Sequence, residues 1–125
     1  MSVTVQDSAG QPRMADLVTR ICDSLEPSYL NDLGEVVLQA GEGPGAQLEA
    51  GPPARIVLRP GVLMLDQEPA LRRAIVADAL LREIARHNLR GLTDKLAPER
   101  AEEVLEGYAA ELVSRLAAHE TFIRR

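Results

Sequence analysis

A short stretch of the sequence combines side chains that can bind a metal, exchange protons or bind an anion. It contains Glu83 and His87, which alternate with Arg82 and Arg86, and Asp94 follows after a few residues. Glu83 and His87 are four positions apart, so on a helix they share one face and form a workable metal pair that Asp94 can complete. The alternative is that His87 is a surface histidine near the helix end, where a cation interacts favourably with the helix dipole.

The two arginines predict different chemistry from a metal ligand. A guanidinium stays protonated at physiological pH and has five N–H donors but no lone pair for a metal. Arg82 and Arg86 are also one helical turn apart and repel each other, so we expect an anion nearby. Carboxylates of this chain that can pair with them are Asp78, Asp94, Glu103 and Glu106. The alternatives are a bound peptide carboxylate or phosphate, or two arginines that simply point into water.

These residues lie on a long helix that the sequence predicts from Pro69 to about Gly91. Its apolar positions recur at helical spacing and form a broad face that should pack on a sheet. The members of this face are Leu71, Ala74, Ala77, Leu80, Leu81, Ile84 and Ala85. The same periodicity places Arg72, Glu83 and His87 on the opposite side of the helix.

Two further helices and a small sheet are predicted around this helix. Apolar periodicity predicts an amphipathic helix over residues 13–26, which Pro27 ends, and a last helix over residues 98–118. Residues 1–12 are polar and contain Gly10 and Pro12, so we expect a flexible or loosely paired arm. Residues 13–125 then form a single domain.

The predicted strands lie between the first helix and the long helix. Residues 35–40 and 54–59 are β-prone, and residues 41–54 between them read as a loop rich in glycine, proline and alanine. Residues 62–65 are a candidate third strand, paired with residues 54–59 as a hairpin. The fold class predicted from this order is α+β, with a small sheet of two to four strands.

Composition excludes several classes of protein. The chain has 125 residues, 46% of them hydrophobic, and a net charge of −5. The negative charge and the three aromatic residues argue against nucleic acid as a partner. The sequence contains neither an apolar run of membrane-spanning length nor a recognisable signal peptide, so no membrane partner is expected. Cys22 is the single cysteine, so no disulfide or cysteine-rich zinc site can form within the chain, which predicts a cytoplasmic location. Its side chain should pack as a small hydrophobe.

The order of elements, together with the segment Leu81 to His87, resembles a family of small bacterial zincin-like metallopeptidases, the minigluzincins. In that family an N-terminal helix and a short sheet precede a helix with the motif H-E-x-x-H, followed by G-x-x-D. Three segments carry the resemblance. They are residues 14–37, which are similar to the first helix and strand, residues 53–63, similar to the edge strand above the active-site cleft, and residues 81–94, similar to the metal helix and the G-x-x-D segment. The resemblance covers about residues 13–96, and the helix over residues 98–118 lies outside it.

The resemblance implies a zinc site that this sequence has altered. Arg82 and Arg86 occupy the positions of the two zinc-binding histidines, and Glu83 occupies the position of the catalytic glutamate. Asp94 corresponds to the third ligand, although Gly91 comes five residues after Arg86, where the family motif has three. Since guanidiniums cannot ligate zinc, we expect no bound zinc and no hydrolysis by a metal-bound water.

Three functions follow as hypotheses from these observations. The first is a catalytically inactive, zincin-like interaction or regulatory module that binds a protein or peptide partner. The second is an active zinc metallopeptidase with a non-standard ligand set. The third is a homo-oligomerisation domain, with a homodimer formed through the apolar stripe of the last helix, which includes Tyr108, Leu112, Val113 and Leu116.

Overall fold

The computed structural model describes residues 3–51, 53–63 and 69–119, and these form a mixed sheet with helices packed against it. The predicted α+β class is confirmed. In chain order the elements are β1 (Thr4–Asp7), α1 (Pro12–Ser24), a 3-10 turn (Pro27–Leu30), β2 (Leu33–Leu38), β3 (Ala46–Glu49), β4 (Ala54–Leu58), the single helical turn α2 (Pro60–Leu63), α3 (Pro69–Thr93) and α4 (Pro98–His119). Among the described helices, none has the length and apolar character that crossing a membrane requires.

The sheet has the strand order β1-β2-β4-β3. β1 pairs with β2 and β2 pairs with β4 in parallel, whereas β3 pairs with β4 antiparallel and forms one edge. The helix α1 between β1 and β2 provides the crossover connection that parallel neighbours need. The antiparallel edge strand therefore lies beside the third parallel strand, on the side away from β1.

The structure differs from four sequence predictions about the sheet. Residues 46–49, which lie in the predicted loop of residues 41–54, form the strand β3. Residues 4–7 pair with β2 over four residues, where the sequence predicts a flexible or loosely paired arm. Residues 54–58 form an interior strand and not the edge, because residues 46–49 pair along their outer side. Residues 60–63 form a helical turn, so the predicted hairpin strand over residues 62–65 is wrong for its first half. Its second half lies outside the described residues.

The core lies between the sheet and the helices. Alternate residues of the two central strands face the helices, namely Val36, Leu38, Ile56 and Leu58, all fully buried. The predicted apolar stripe of α1 is confirmed, since Met14, Leu17, Val18, Ile21 and Leu25 are all buried. Cys22 is buried beside this stripe, and burial raises the pKa of its thiol to about 12, which makes it an inert apolar group.

The long helix α3 extends two residues past the predicted end, through Gly91 to Thr93. Val76, Leu80, Leu81 and Ile84 belong to the main core. Ala85 lies on another side of the helix and packs with α4 in a separate cluster. The helix is therefore buried on two sides, and this changes the environment of its polar residues.

The last helix α4 packs within its own chain. Its residues Leu105, Ala109, Leu112 and Leu116 are buried, and Tyr108 and Val113 pack against the core. A homodimer through this stripe would have to use side chains that already pack within the domain. The homodimer prediction is therefore not supported by the position of α4.

Candidate functional site

A groove between the edge strand β3 and the helix α3 contains three of the residues that the sequence singles out. It has a volume of about 560 Å³. One part is lined by apolar side chains from β3, α2 and α3, which are Ala46, Leu63, Leu71, Ala74, Ile75 and Ala79. The other part is lined by Asp78, Arg82, Glu83 and Arg86. The groove thus combines an apolar surface with a cluster of four charged groups.

The helical repeat of α3 explains why these side chains line one groove. The lining positions run from Leu71 to Arg86 in steps of three and four residues, the spacing that keeps side chains on one face of a helix. This face is adjacent to the buried stripe that contacts the sheet, so it lies beneath β3. The N-terminal half of α3 therefore lines the apolar part of the groove, and the following turns line its charged part.

Arg82 lies between this groove and a second one. Its Nε is 3.3 Å from Asp78 Oδ2 and its Nη2 is 3.6 Å from Glu106 Oε1 on α4. Arg82 and Asp78 also line the second groove, which has a volume of about 710 Å³ and lies between α3 and α4. The side chains of all three residues are more than a third exposed, so solvent weakens these ion pairs. The expected pairing of Arg82 with Asp78 and Glu106 is thus observed.

Glu83 is buried beneath Arg86. Its side chain is 8% exposed, and its Oε2 accepts a hydrogen bond of 3.2 Å from Arg86 Nε. Burial raises the pKa of Glu83, while the positive charges of Arg86 and Arg82 oppose the rise and Glu102 adds to it. The prediction that Glu83 lies on the exposed side of the helix is wrong.

His87 is also buried, and it points away from the groove. It is 5% exposed, and its Nε2 lies 2.6 Å from the carbonyl oxygen of Asn31. The carbonyl can only accept, so Nε2 carries the proton, and Nδ1 is buried and has no hydrogen-bond partner among the described residues. The next residue, Asn88, donates to the carbonyl of Tyr29 at 2.9 Å. The interpretation of His87 as a surface histidine is therefore wrong: it holds the segment after the 3-10 turn against α3.

Asp94 is separate from the other candidate residues. It is exposed in the turn that follows α3, where its backbone N–H donates to the carbonyl of Arg90. Within residues 3–51, 53–63 and 69–119, Asp94 neither lines the groove nor pairs with Arg82 or Arg86. The structure therefore brings Arg82, Glu83 and Arg86 together and leaves His87 and Asp94 outside.

The side chains of the groove do not fit a zinc ion. Two of its four charged groups are guanidiniums, which cannot donate a lone pair, and the two carboxylates are engaged by these guanidiniums. In the part of the chain that the structure describes, no group of three or more His, Cys, Asp or Glu residues has a metal-binding arrangement. The donor chemistry of these four side chains is what makes the groove unsuitable for zinc.

The edge strand β3 is the part of the site that sequence reasoning missed. The backbone N–H of Arg59 donates to the carbonyl of Gly45 at 2.8 Å, so these two residues form a hydrogen-bonded pair of the antiparallel ladder. Hydrogen-bonded and non-hydrogen-bonded pairs alternate along such a ladder, so the next residue, Ala46, makes no backbone hydrogen bond to β4. By this alternation, the N–H and C=O groups of Ala46 and Leu48 point to the open edge of the sheet. Leu48 alone gave a weak signal, because four residues between glycine-rich segments show too little alternation to predict a strand.

In comparisons with known proteins, no family model, no curated protein and no solved structure matches this chain.

Proposed function

We propose that this chain is a zincin-like domain that does not hydrolyse peptides and instead binds an extended peptide segment along β3. The observation that carries the proposal is the location of Arg82 and Arg86 in a groove beneath an open edge strand. The resemblance implies that the zinc-binding positions line a cleft below the edge strand. In this chain the edge strand is β3, and not residues 53–63 as the resemblance implies, but Arg82 and Arg86 do line a groove beside the edge strand.

The absence of hydrolysis follows from the donor chemistry. A metal-bound water is the nucleophile in zinc peptidases, and the metal lowers the pKa of this water. Arg82 and Arg86 cannot hold the metal, and the carboxylate of Glu83 accepts a hydrogen bond from Arg86. A non-standard ligand set of Glu83, His87 and Asp94 is not favoured either, because His87 faces Asn31 and Asp94 is outside the groove.

Peptide binding is supported by the backbone of β3. An open strand edge presents unpaired N–H and C=O groups, and an extended peptide satisfies them by adding one more strand. Ala46 and Leu48 provide such groups, and Ala46 also lines the groove. A peptide paired with β3 would therefore place alternate side chains over the apolar part of the groove.

Replacement of Ala46 tests this mode of binding. Ala46→Pro removes the outward N–H without affecting a hydrogen bond to β4, and Ala46→Val adds a similar volume but keeps the N–H. With a pool of fluorescent peptides rich in Leu, Val and Ile as probe, we expect Ala46→Pro to weaken binding by about 10-fold, the value of one hydrogen bond in a shielded site. Ala46→Val should bind nearly as well as the natural chain.

Two results would contradict the proposal. One is that the natural chain binds none of the peptides, or that Ala46→Pro binds them as well as Ala46→Val does. The other is that the chain, equilibrated with excess zinc, retains stoichiometric zinc after dialysis and cleaves the pool. Mass spectrometry of the peptides and metal analysis of the protein read out both points, and we expect intact peptides and zinc well below one equivalent.

A further inference from the structure

The guanidinium of Arg86 has a donor edge that the chain leaves unused. Its Nε donates to the buried Glu83 carboxylate, and this single contact fixes the side chain from below. Among the described residues, no hydrogen bond or ion pair involves its Nη1 or Nη2. The side chain is 42% exposed and lines the groove. Arg86 is thus a held cation with free N–H donors at the surface of a groove.

The neighbouring charges limit the ligand that these donors accept. The four charged groups that line the groove, Asp78, Glu83, Arg82 and Arg86, sum to zero when both acids are ionised, and Glu106 on α4, which pairs with Arg82, adds one negative charge beside them. A singly charged carboxylate meets two free N–H groups of Arg86 in the planar geometry that suits bidentate binding. A doubly charged phosphate would add more repulsion from Asp78 and Glu83. The chemistry therefore favours a monocarboxylate.

The rest of the groove favours a carboxylate attached to an apolar peptide. Leu71, Ala74 and Ile75 continue the same face of α3 away from Arg86, and Leu71 is 50% exposed. A peptide paired with β3 lies along this surface and has its main chain next to the groove. A carboxylate at the end of the main chain reaches the groove without a spacer, whereas a side-chain carboxylate replaces one of the apolar contacts.

We propose that the groove binds the free C-terminus of a partner protein, with Arg86 donating hydrogen bonds to the terminal carboxylate and the apolar part of the groove holding the last side chains. This inference rests on the proposed function, since it assumes a peptide at β3. It adds the chemical class of the ligand and the residue that selects it. Arg82, one turn earlier on the same face of α3, contributes a second positive charge, but its Nε and Nη2 are engaged by Asp78 and Glu106.

Amidation of the peptide C-terminus tests the inference without changing the protein. The probes are two pools of short synthetic peptides rich in Leu, Val and Ile, with either a free acid or an amide at the C-terminus. We expect the free-acid pool to bind about 10- to 100-fold more tightly, as for a hydrogen-bonded charged group. Arg86→Gln should remove this preference, because it removes the positive charge that pairs with the carboxylate.

The matched control is Arg90→Gln, which makes the same charge change on the same helix at an exposed position outside the groove. It should keep the full preference for the free acid. Equal affinity for acid and amide, or an unchanged preference in Arg86→Gln, would overturn the inference. If both pools bind equally and Ala46→Pro still weakens them, the proposed function holds and only the C-terminal specificity fails. If neither pool binds, both proposals fail.

Discussion

Glu83 shows how a single residue combines a structural cost with a positioning role. Its carboxylate is buried under Arg86, and burial raises its pKa although two arginines line the same groove. A raised carboxyl pKa means that the folded state binds a proton more tightly than the unfolded state, so ionisation of Glu83 opposes folding. Glu83 therefore stabilises Arg86 in place while it reduces stability at neutral pH.

Glu83→Gln tests this cost through the pH dependence of stability. Stability from the protonated form is fully present below the ordinary glutamate pKa and is lost as pH rises through the higher folded pKa. We therefore expect the natural chain to lose stability relative to Glu83→Gln as pH rises from the ordinary glutamate pKa of about 4 towards neutral pH. Urea unfolding at several pH values in this range measures the difference.

The control is Glu42→Gln, which changes an exposed carboxylate in the loop before β3. It should track the natural chain at every pH. A difference between Glu83→Gln and the natural chain that stays constant with pH, or that changes in the opposite direction, would show that Glu83 is not destabilised by ionisation.

At the scale of elements, the helices were more predictable than the sheet. The stripe of α1 is visible in the sequence because it packs on one side only, and its five apolar residues are buried as expected. α3 packs against the sheet and also against α4 and the 3-10 turn, so an apolar stripe identifies only one of its buried sides. This explains why Glu83 and His87 were placed on an exposed face.

The strands were predicted in part, for a similar reason. β2 and β4 contain continuous β-prone runs, which parallel strands in a covered sheet typically have. β1 and β3 are edge strands of four residues. Their own sequences show little β pattern, and backbone pairing with β2 and β4 determines their conformation more than their residue types do. The arginines of the candidate site were identified from the sequence, but the groove was not, because its upper side is formed by β3.

Two glycines provide a matched test of how the elements pack. A Cβ on Gly34 would lie 2.6 Å from Pro53 Cγ, whereas a Cβ on Gly107 in α4 has open space around it. We expect Gly34→Ala to lower the free energy of unfolding by about 1–3 kcal/mol through overpacking at β2. Gly107→Ala should raise it by about 0.5–1 kcal/mol, since alanine favours the helix.

Urea unfolding of both variants measures these opposite effects. The substitution is chemically the same, so the difference isolates the local environment. Equal effects of the two substitutions would contradict the close approach of residue 34 to Pro53 and the helical position of Gly107.

At the scale of the whole molecule, His87 joins parts of the chain that are distant in sequence. Its hydrogen bond to Asn31 and the bond from Asn88 to Tyr29 fix the segment before β2 against α3. Tyr29 also contacts Tyr108 on α4 edge to face, with 6.2 Å between ring centroids. The segment of residues 27–31 is thus held by both long helices.

His87→Ala is expected to lower the free energy of unfolding by about 2–3 kcal/mol, because it removes a buried side chain and its hydrogen bond. Hydrogen exchange should increase most in residues 27–31, which lose their contact with α3. Arg90→Ala, an exposed change one turn away, should stay within about 0.5 kcal/mol of the natural chain. A similar small effect of His87→Ala would contradict the anchoring role.

The order of the strands and α3 along the chain has a consequence for how the chain folds. The strands that the structure describes all precede α3 in the sequence, yet α3 packs against β3 and β4. During synthesis on the ribosome, the sheet segments therefore emerge before the helix that shields them. Such non-local contacts slow folding, so apolar surface of the sheet stays exposed to solvent for longer. A nascent chain that stops before α3 should therefore require chaperones to avoid aggregation.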